Sequence, residues 1–343
     1  MKHLVDKLIE CRHLLPDEYK QLLVTTDPYL RQKANEVRKQ VFGNKIFARG
    51  LIEFTNYCKN DCYYCGLRFS NKNCNRYRLS VDEILESCAE GYALGYRTFV
   101  LQGGEDPHYN SDEPLLQLVK SIRVQFPDCA ITLSIGERSY DSYKALYNAG
   151  ADRFLLRHET ANDEHYAKLH PKAMTLANRK QCLYDLKEIG FQVGCGMMIG
   201  SPHQTLDHIV EDLNFIKELD PEMVGCGPFL PHSDTPFGKE SAGNKEITLN
   251  VLAILRLMKP NLNLPATTAL GTLEDDGREQ GIMCGANVVM PNISPTEGRK
   301  KYQLYDGKIG TTDNATDSGI KMAERMKKIG CEIAVNRGDY ING

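Results

Sequence analysis

The sequence predicts an α/β fold, a (β/α)8 TIM-type barrel with an N-terminal helical extension and a short C-terminal helical segment. Eight short apolar segments of strand length recur through the 343-residue chain, each separated from the next by room for a helix. The stretches between them carry apolar residues at helical spacing. Gly95, Gly150 and Gly190 stand where three of those helices should stop, supplying the left-handed residue that a crossover needs.

Residues 1–45 read as helices, with apolar spacing in 19–24 and again in 30–42. The strand candidates follow at 50–54, 98–101, 130–135, 153–156, 192–198, 223–226, 264–267 and 287–290. Helical patterns occupy 81–94, 114–126, 139–149, 176–189, 205–219 and 248–258. There is no internal repeat, low-complexity tract or Pro/Ser-rich linker. The expected organisation is therefore a helical extension over 1–45, the barrel over 46–300 and a C-terminal extension over 301–343.

In such barrels the chemistry sits at the C-terminal ends of the strands, and unusual polar residues gather there. Directly after the first strand come Cys58, Cys62 and Cys65, a C-x3-C-x2-C spacing. Three thiolates from one short loop can converge on a four-iron cluster and leave one iron open, whereas electron-transfer ferredoxins close theirs with four cysteines. A structural zinc knot would want a fourth Cys or His nearby, for which Cys74 is the one candidate, and plain neighbouring thiols are the other bland reading. The spacing, with Tyr64 before the last cysteine, resembles the signature of the radical S-adenosylmethionine (SAM) enzymes.

The second strand ends in Gln102, Gly103, Gly104 and Glu105, where two glycines let the backbone approach a ligand and a carboxylate could receive an ammonium group. The pair alone signals little more than a turn; in this register it resembles the superfamily's methionine-binding motif. Thr132 and Ser134 offer hydroxyls on the third strand. Arg157, His158, Glu159 and Thr160 crowd the end of the fourth, where a surface ion-pair group is the structural alternative. Glu159 would hold the SAM ribose or amino group, and Arg179 its carboxylate through a guanidinium fork. Thr267 and Thr268 end the seventh strand, where β-branched residues are also simply favoured. His232, followed by Asp234 in a Pro-rich loop, reads as structural.

From about Arg49 to Lys308 the chain resembles one radical SAM family, the HydE maturases of [FeFe]-hydrogenase. The likeness rests on Tyr64-Cys-Gly-Leu-Arg68, Leu101-Gln-Gly-Gly-Glu-Asp106, Leu156-Arg-His-Glu-Thr-Ala-Asn162, Pro265-Ala-Thr-Thr-Ala269 and Tyr302-Gln-Leu-Tyr305. The resemblance implies a [4Fe-4S] cluster on Cys58, Cys62 and Cys65, and reductive cleavage of SAM to a 5'-deoxyadenosyl radical used in building the two-iron subcluster of the hydrogenase. It implies SAM contacts from Tyr64, Gln102, Gly103, Gly104, Glu105, Ser134, Glu159 and Arg179. Thr132, Arg157, Met223, Thr267, Thr268 and Tyr302 would line a cavity for a small organometallic or amino-acid-derived substrate. Transient contact with a HydG-like maturase and the hydrogenase, and an external low-potential electron donor, are also expected. Where some members carry three cysteines for a second cluster, this chain has Gly310, Ser318 and Lys321, so no second cluster is expected.

A net charge of −3 gives no reason to expect nucleic acid, and no apolar run approaches a membrane span. Most of the nine cysteines outside the triad sit in apolar surroundings, which fits reduced thiols in a cytoplasmic, anaerobic setting. Methylornithine synthase-like or biotin synthase-like chemistry is the rival enzyme reading. A non-catalytic iron-cluster scaffold is the rival of another class, opposed by the presence of the SAM residues.

Overall fold

The computed structural model describes residues 1–341. Three helices open the chain: α1 (Lys2–Cys11), α2 (Pro16–Leu23) and α3 (Tyr29–Phe42). Their apolar stripes, among them Leu4, Leu8, Tyr19, Leu22, Leu30 and Ala34, are buried against the barrel's helices. The first barrel strand is bent into β1 (Lys45–Ala48) and β2 (Gly50–Thr55). Alternation then proceeds through α4 (Val81–Ala93), β3 (Thr98–Gly103), α5 (Glu113–Gln125), β4 (Ala130–Ser134), α6 (Tyr140–Asn148), β5 (Arg153–Leu155), α7 (Asp163–Leu169), α8 (Leu176–Ile189) and β6 (Gln192–Cys195). The remainder is β7 (Met198–Ile199), α9 (Leu206–Leu219), β8 (Met223–Val224), β9 (Gly227–Pro228), α10 (Lys245–Met258), α11 (Thr268–Leu273), α12 (Gly277–Met283), β10 (Val288–Val289), α13 (Thr296–Lys301), α14 (Ala315–Lys328) and β11 (Glu332–Ala334).

Local chemistry starts these helices where the sequence expects. Ser80, Ser139, Thr175 and Thr205 each accept a hydrogen bond from the amide three residues on, satisfying a donor that the first turn leaves free. Gly190 ends α8 in the left-handed conformation, at φ 108°.

All strand pairs are parallel, in the order β2-β3-β4-β5-β6-β8, and β10 pairs with β1. Bridges Met223↔Asn263 and Pro265↔Val288 close the ring through the segment expected as the seventh strand. That segment contributes bridges rather than a ladder, since Pro265 has no N–H to donate and Thr267 is already the cap of α11. The expected strand over 192–198 breaks after Cys195. There Gly196 passes so close to Gly225 that a Cβ would lie 2.0 Å from the Gly225 carbonyl oxygen.

Register decides what faces inward, because paired residues of neighbouring parallel strands share a face. Glu53, Gln102 and Ser134 form one row, and Leu51, Val100, Thr132 and Arg153 the row below. The floor is shut by the chain after β11, which itself pairs with β1. Arg153 Nη2 donates to Asp339 and to the Arg337 carbonyl, and Arg49 Nη2 to the Gly338 carbonyl. Among the described residues no helix is long and apolar enough to cross a membrane.

Candidate active site

The cysteine loop after β2 has little regular structure and is shaped by arginines. Arg76 donates to the carbonyls of Asn56, Leu67 and Arg68, and Arg68 grips Asp61 through Nε at 2.8 Å and Nη2 at 2.7 Å. Gly66 lies so tightly against the loop between β9 and α10, and against the C-terminal extension, that a Cβ would meet His232 Cδ2 at 2.2 Å and the Gln303 carbonyl at 2.3 Å. His232 is thus packing for this loop, and its Nδ1 accepts from the Asp234 amide, in keeping with the structural reading.

Cys58, Cys62 and Cys65 are free thiols of intermediate exposure that line one cavity. Burial pushes all three thiols up, Cys65 to about 12, and the proximity of the other cysteines adds to the rise at Cys62 and Cys65. Such a set becomes thiolate only against nearby positive charge, as iron supplies. Among the described residues no three His, Cys, Asp or Glu side chains close on one point as a single metal ion requires. Three soft thiols on one short loop lining one cavity are the donor type that iron–sulfur clusters take.

Between the last two cysteines, Tyr64 donates its hydroxyl to His170 Nε2 at 3.1 Å, and His170 Nδ1 donates to the Tyr166 carbonyl. Burial lowers His170 to about 3, so its ring stays neutral and can accept. On the other side Gly104 admits the loop: a Cβ there would meet the Tyr57 carbonyl at 2.3 Å and Cys58 Cβ at 2.7 Å.

The cavity holds about 280 Å³. Tyr64, Gln102, Gly103, Gly104, Ser134, Arg157, Glu159, Arg179, Thr267 and Tyr302 line it together with the three cysteines. Arg179, on the first turn of α8, donates from Nε to Glu137 and from Nη1 to the Arg157 carbonyl, both at 2.6 Å, which leaves Nη2 for a ligand. Burial works against its charge, but Tyr166 and Glu137 outweigh that and raise its pKa. Arg157 Nε and Nη2 are buried without a hydrogen-bond partner. Nη2 stands 3.0 Å from Glu159 Oε2 but off the angle of a hydrogen bond, so that carboxylate oxygen is also unsatisfied. A ligand with polar groups of both signs would complete this pair.

Four predicted residues lie off this wall. Glu105 sits behind the glycine pair, 3.2 Å from Lys59 Nζ and accepting from the Glu137 amide. Thr132 is buried deeper, its hydroxyl without a partner. Met223 Sδ accepts from Arg49 Nη1 at 2.8 Å. Thr268 accepts from Arg278 in a smaller neighbouring cavity of about 180 Å³, which Gly310, Ser318 and Lys321 also line. Sequence reasoning missed the apolar walls Leu67, Met198, Phe229 and Leu230, and the part that Leu304 and Tyr305 play beside Tyr302. The quoted Tyr302-Gln-Leu-Tyr305 motif was the available signal.

Comparison with known proteins gives the family. The radical SAM superfamily profile matches residues 52–216. The [FeFe] hydrogenase maturase subunit HydE of Thermotoga maritima is 48% identical over 80% of this chain and 78% of its own length. A 3-methylornithine synthase of Methanosarcina acetivorans is 31% identical over 94% of this chain and 91% of its own. Among solved structures, methylornithine synthase superposes with a TM-score of 0.84 at 28% identity, over 96% of this chain and 97% of its own. The [FeFe]-hydrogenase maturase HydG superposes with a TM-score of 0.80 over 97% of this chain and 75% of its own, and at 18% identity it bears on the fold alone. Thiol triad, glycine pair, barrel and sequence identity together lead to one conclusion: the chain belongs to the radical SAM family of the [FeFe]-hydrogenase maturase HydE.

Proposed function

We propose that this radical SAM enzyme acts in maturation of [FeFe]-hydrogenase, on a small organometallic or amino-acid-derived substrate during assembly of the two-iron subcluster. The observation that carries the reading is one cavity lined both by three thiols and by an unsatisfied Arg157 guanidinium. The family's [4Fe-4S] cluster and SAM supply an electron and a sulfonium, whose cleavage gives the 5'-deoxyadenosyl radical.

Cys58, Cys62 and Cys65 would hold the cluster and leave one iron for the methionine end of SAM. Gly103 and Gly104 would let the backbone approach that ligand, with Glu105, Gln102, Ser134 and Tyr64 around it. Glu159 and the free Nη2 of Arg179 would take opposite charges on SAM. Arg157 would orient an anionic group of the substrate, with Thr267 and Tyr302 beside it and Thr132, Met223 and Thr268 further out. Gly310, Ser318 and Lys321 offer no thiolate, so one cluster per chain is proposed. A HydG-like maturase, the hydrogenase and a low-potential donor remain the proposed partners.

Anaerobic reconstitution should give about four irons and four sulfides per chain, as one cubane requires. The reduced protein should show an electron paramagnetic resonance signal that SAM shifts, with 5'-deoxyadenosine formed and both lost in Cys62→Ala. A cluster indifferent to SAM would support the scaffold. The 31% identity over nearly the whole chain keeps methylornithine formation as a second reading. Rescue of a hydrogenase-maturation mutant, against methylornithine production from lysine, separates the two.

A further inference from the structure

We infer that His158 and Asp212 form a buried pair that positions Glu159, a role resting on the proposed contact between Glu159 and SAM. Neither residue lines the cavity, and both are fully buried. Glu159 has a left-handed backbone, φ 66°, which costs a residue with a Cβ about 1 kcal/mol or more and persists only when its surroundings impose it.

Asp212, in the middle of α9, supplies that imposition. Its Oδ1 accepts from the Ala161 amide at 2.5 Å, two residues after Glu159, and lies 3.2 Å from His158 Nε2, one residue before it. His158 Nδ1 accepts from the Gly196 amide, so the ring proton is on Nε2 and faces the carboxylate. Phe215, one turn along α9, meets the imidazole edge to face, with ring centres 5.0 Å apart. Glu159 itself is tied to the strand beyond: its amide donates to the Gly196 carbonyl, and its carbonyl accepts from the Met198 amide. One carboxylate thus holds the Ala161 amide and faces the His158 ring, on the two sides of Glu159, whose side chain lines the cavity.

The pair is a costly way to fill space. His158 Nε2 and Asp212 Oδ2 make no hydrogen bond of good geometry, and burial raises the Asp212 pKa against the bonds that favour its charge. Two apolar side chains would pack there without that cost. What they could not do is accept from the Ala161 amide while presenting a negative charge to the His158 ring.

The test is SAM affinity, read from the SAM-dependent change in the electron paramagnetic resonance signal of reconstituted protein, in Asp212→Leu and Asp212→Asn. Both substitutions keep the branched skeleton, with Leu the bulkier, but only Asn keeps an acceptor for Ala161 and His158. The expected result is an affinity loss of roughly ten- to a hundredfold in Asp212→Leu, the range for losing a charge-assisted hydrogen bond. Cluster content should be normal and Asp212→Asn close to wild type. In the cluster-free chain, hydrogen exchange at the Ala161 amide should quicken in Asp212→Leu and not in Asp212→Asn. Equal SAM affinity in both variants overturns the inference. If Asp212→Leu does not fold, His158→Gln, which can still reach Asp212, should bind SAM more tightly than His158→Asn, which cannot; the same affinity in both has the same overturning force. Glu159→Gln separates the two levels: unchanged SAM affinity there removes the underlying contact, whereas a loss there with none in Asp212→Leu removes only the positioning role.

Discussion

His165 shows how one side chain ties stability to pH. It is fully buried, stacked on His208, and placed between the Thr160 hydroxyl and the Pro202 carbonyl. Burial lowers its pKa from 6.5 to about 4. The unfolded chain therefore binds a proton that the folded chain refuses between those values. The contribution is fully present above 6.5 and is lost as pH falls toward 4, at roughly 1.4 kcal/mol per pH unit. Urea midpoints at pH 7 and pH 5 should reveal the loss, and His165→Gln should reduce the difference by about one proton's worth. At this scale the sequence was legible wherever chemistry is local. Three cysteines within eight positions announce themselves, as do adjacent Gly103 and Gly104. His158 and Asp212 stand more than fifty positions apart, with no spacing that links them, and only the packing of α9 against the end of β5 brings them together.

The first part of the C-terminal extension is held to the barrel by a buried ion pair. Lys308 reaches the Glu53 carboxylate inside the barrel, and both side chains are almost wholly buried. Lys308 also donates to the Tyr302 carbonyl, and Asn292 donates to the other Glu53 oxygen. The loop carrying Tyr302, Leu304 and Tyr305 into the cavity is thereby latched to β2. Lys308→Met should cost about 3–5 kcal/mol, because Glu53 is left charged and buried without its cation. Denaturant unfolding should show that loss, and adding Glu53→Gln should return much of it. The helices were legible from apolar spacing and caps, since these are properties of neighbouring residues. The seventh strand was not legible as bridges, because its apolar run reads the same whether or not Pro265 sits in a ladder. The role of the 302–305 loop was only half visible, since a latch through Lys308 depends on where a distant strand lies.

For the whole molecule, eight apolar segments in alternation were enough to read a closed barrel, and ring closure through Asn263, Pro265 and Val288 completes it. What alternation could not reveal is how the bottom is sealed. Two buried guanidinium groups there, Arg49 and Arg153, are met by the Arg337 and Gly338 carbonyls and the Asp339 carboxylate. Asp339→Ala should lower the melting temperature and speed hydrogen exchange at Arg153 and Thr98, while helices α1 to α3 keep their protection. The order of the chain gives this seal a further meaning. Residues 336–339 follow every strand they close, so a ribosome delivers the seal after the barrel wall. While the chain is being made, the interior can be wetted from below as well as from above. The floor closes only once residues 336–339 have emerged and reached Arg49 and Arg153.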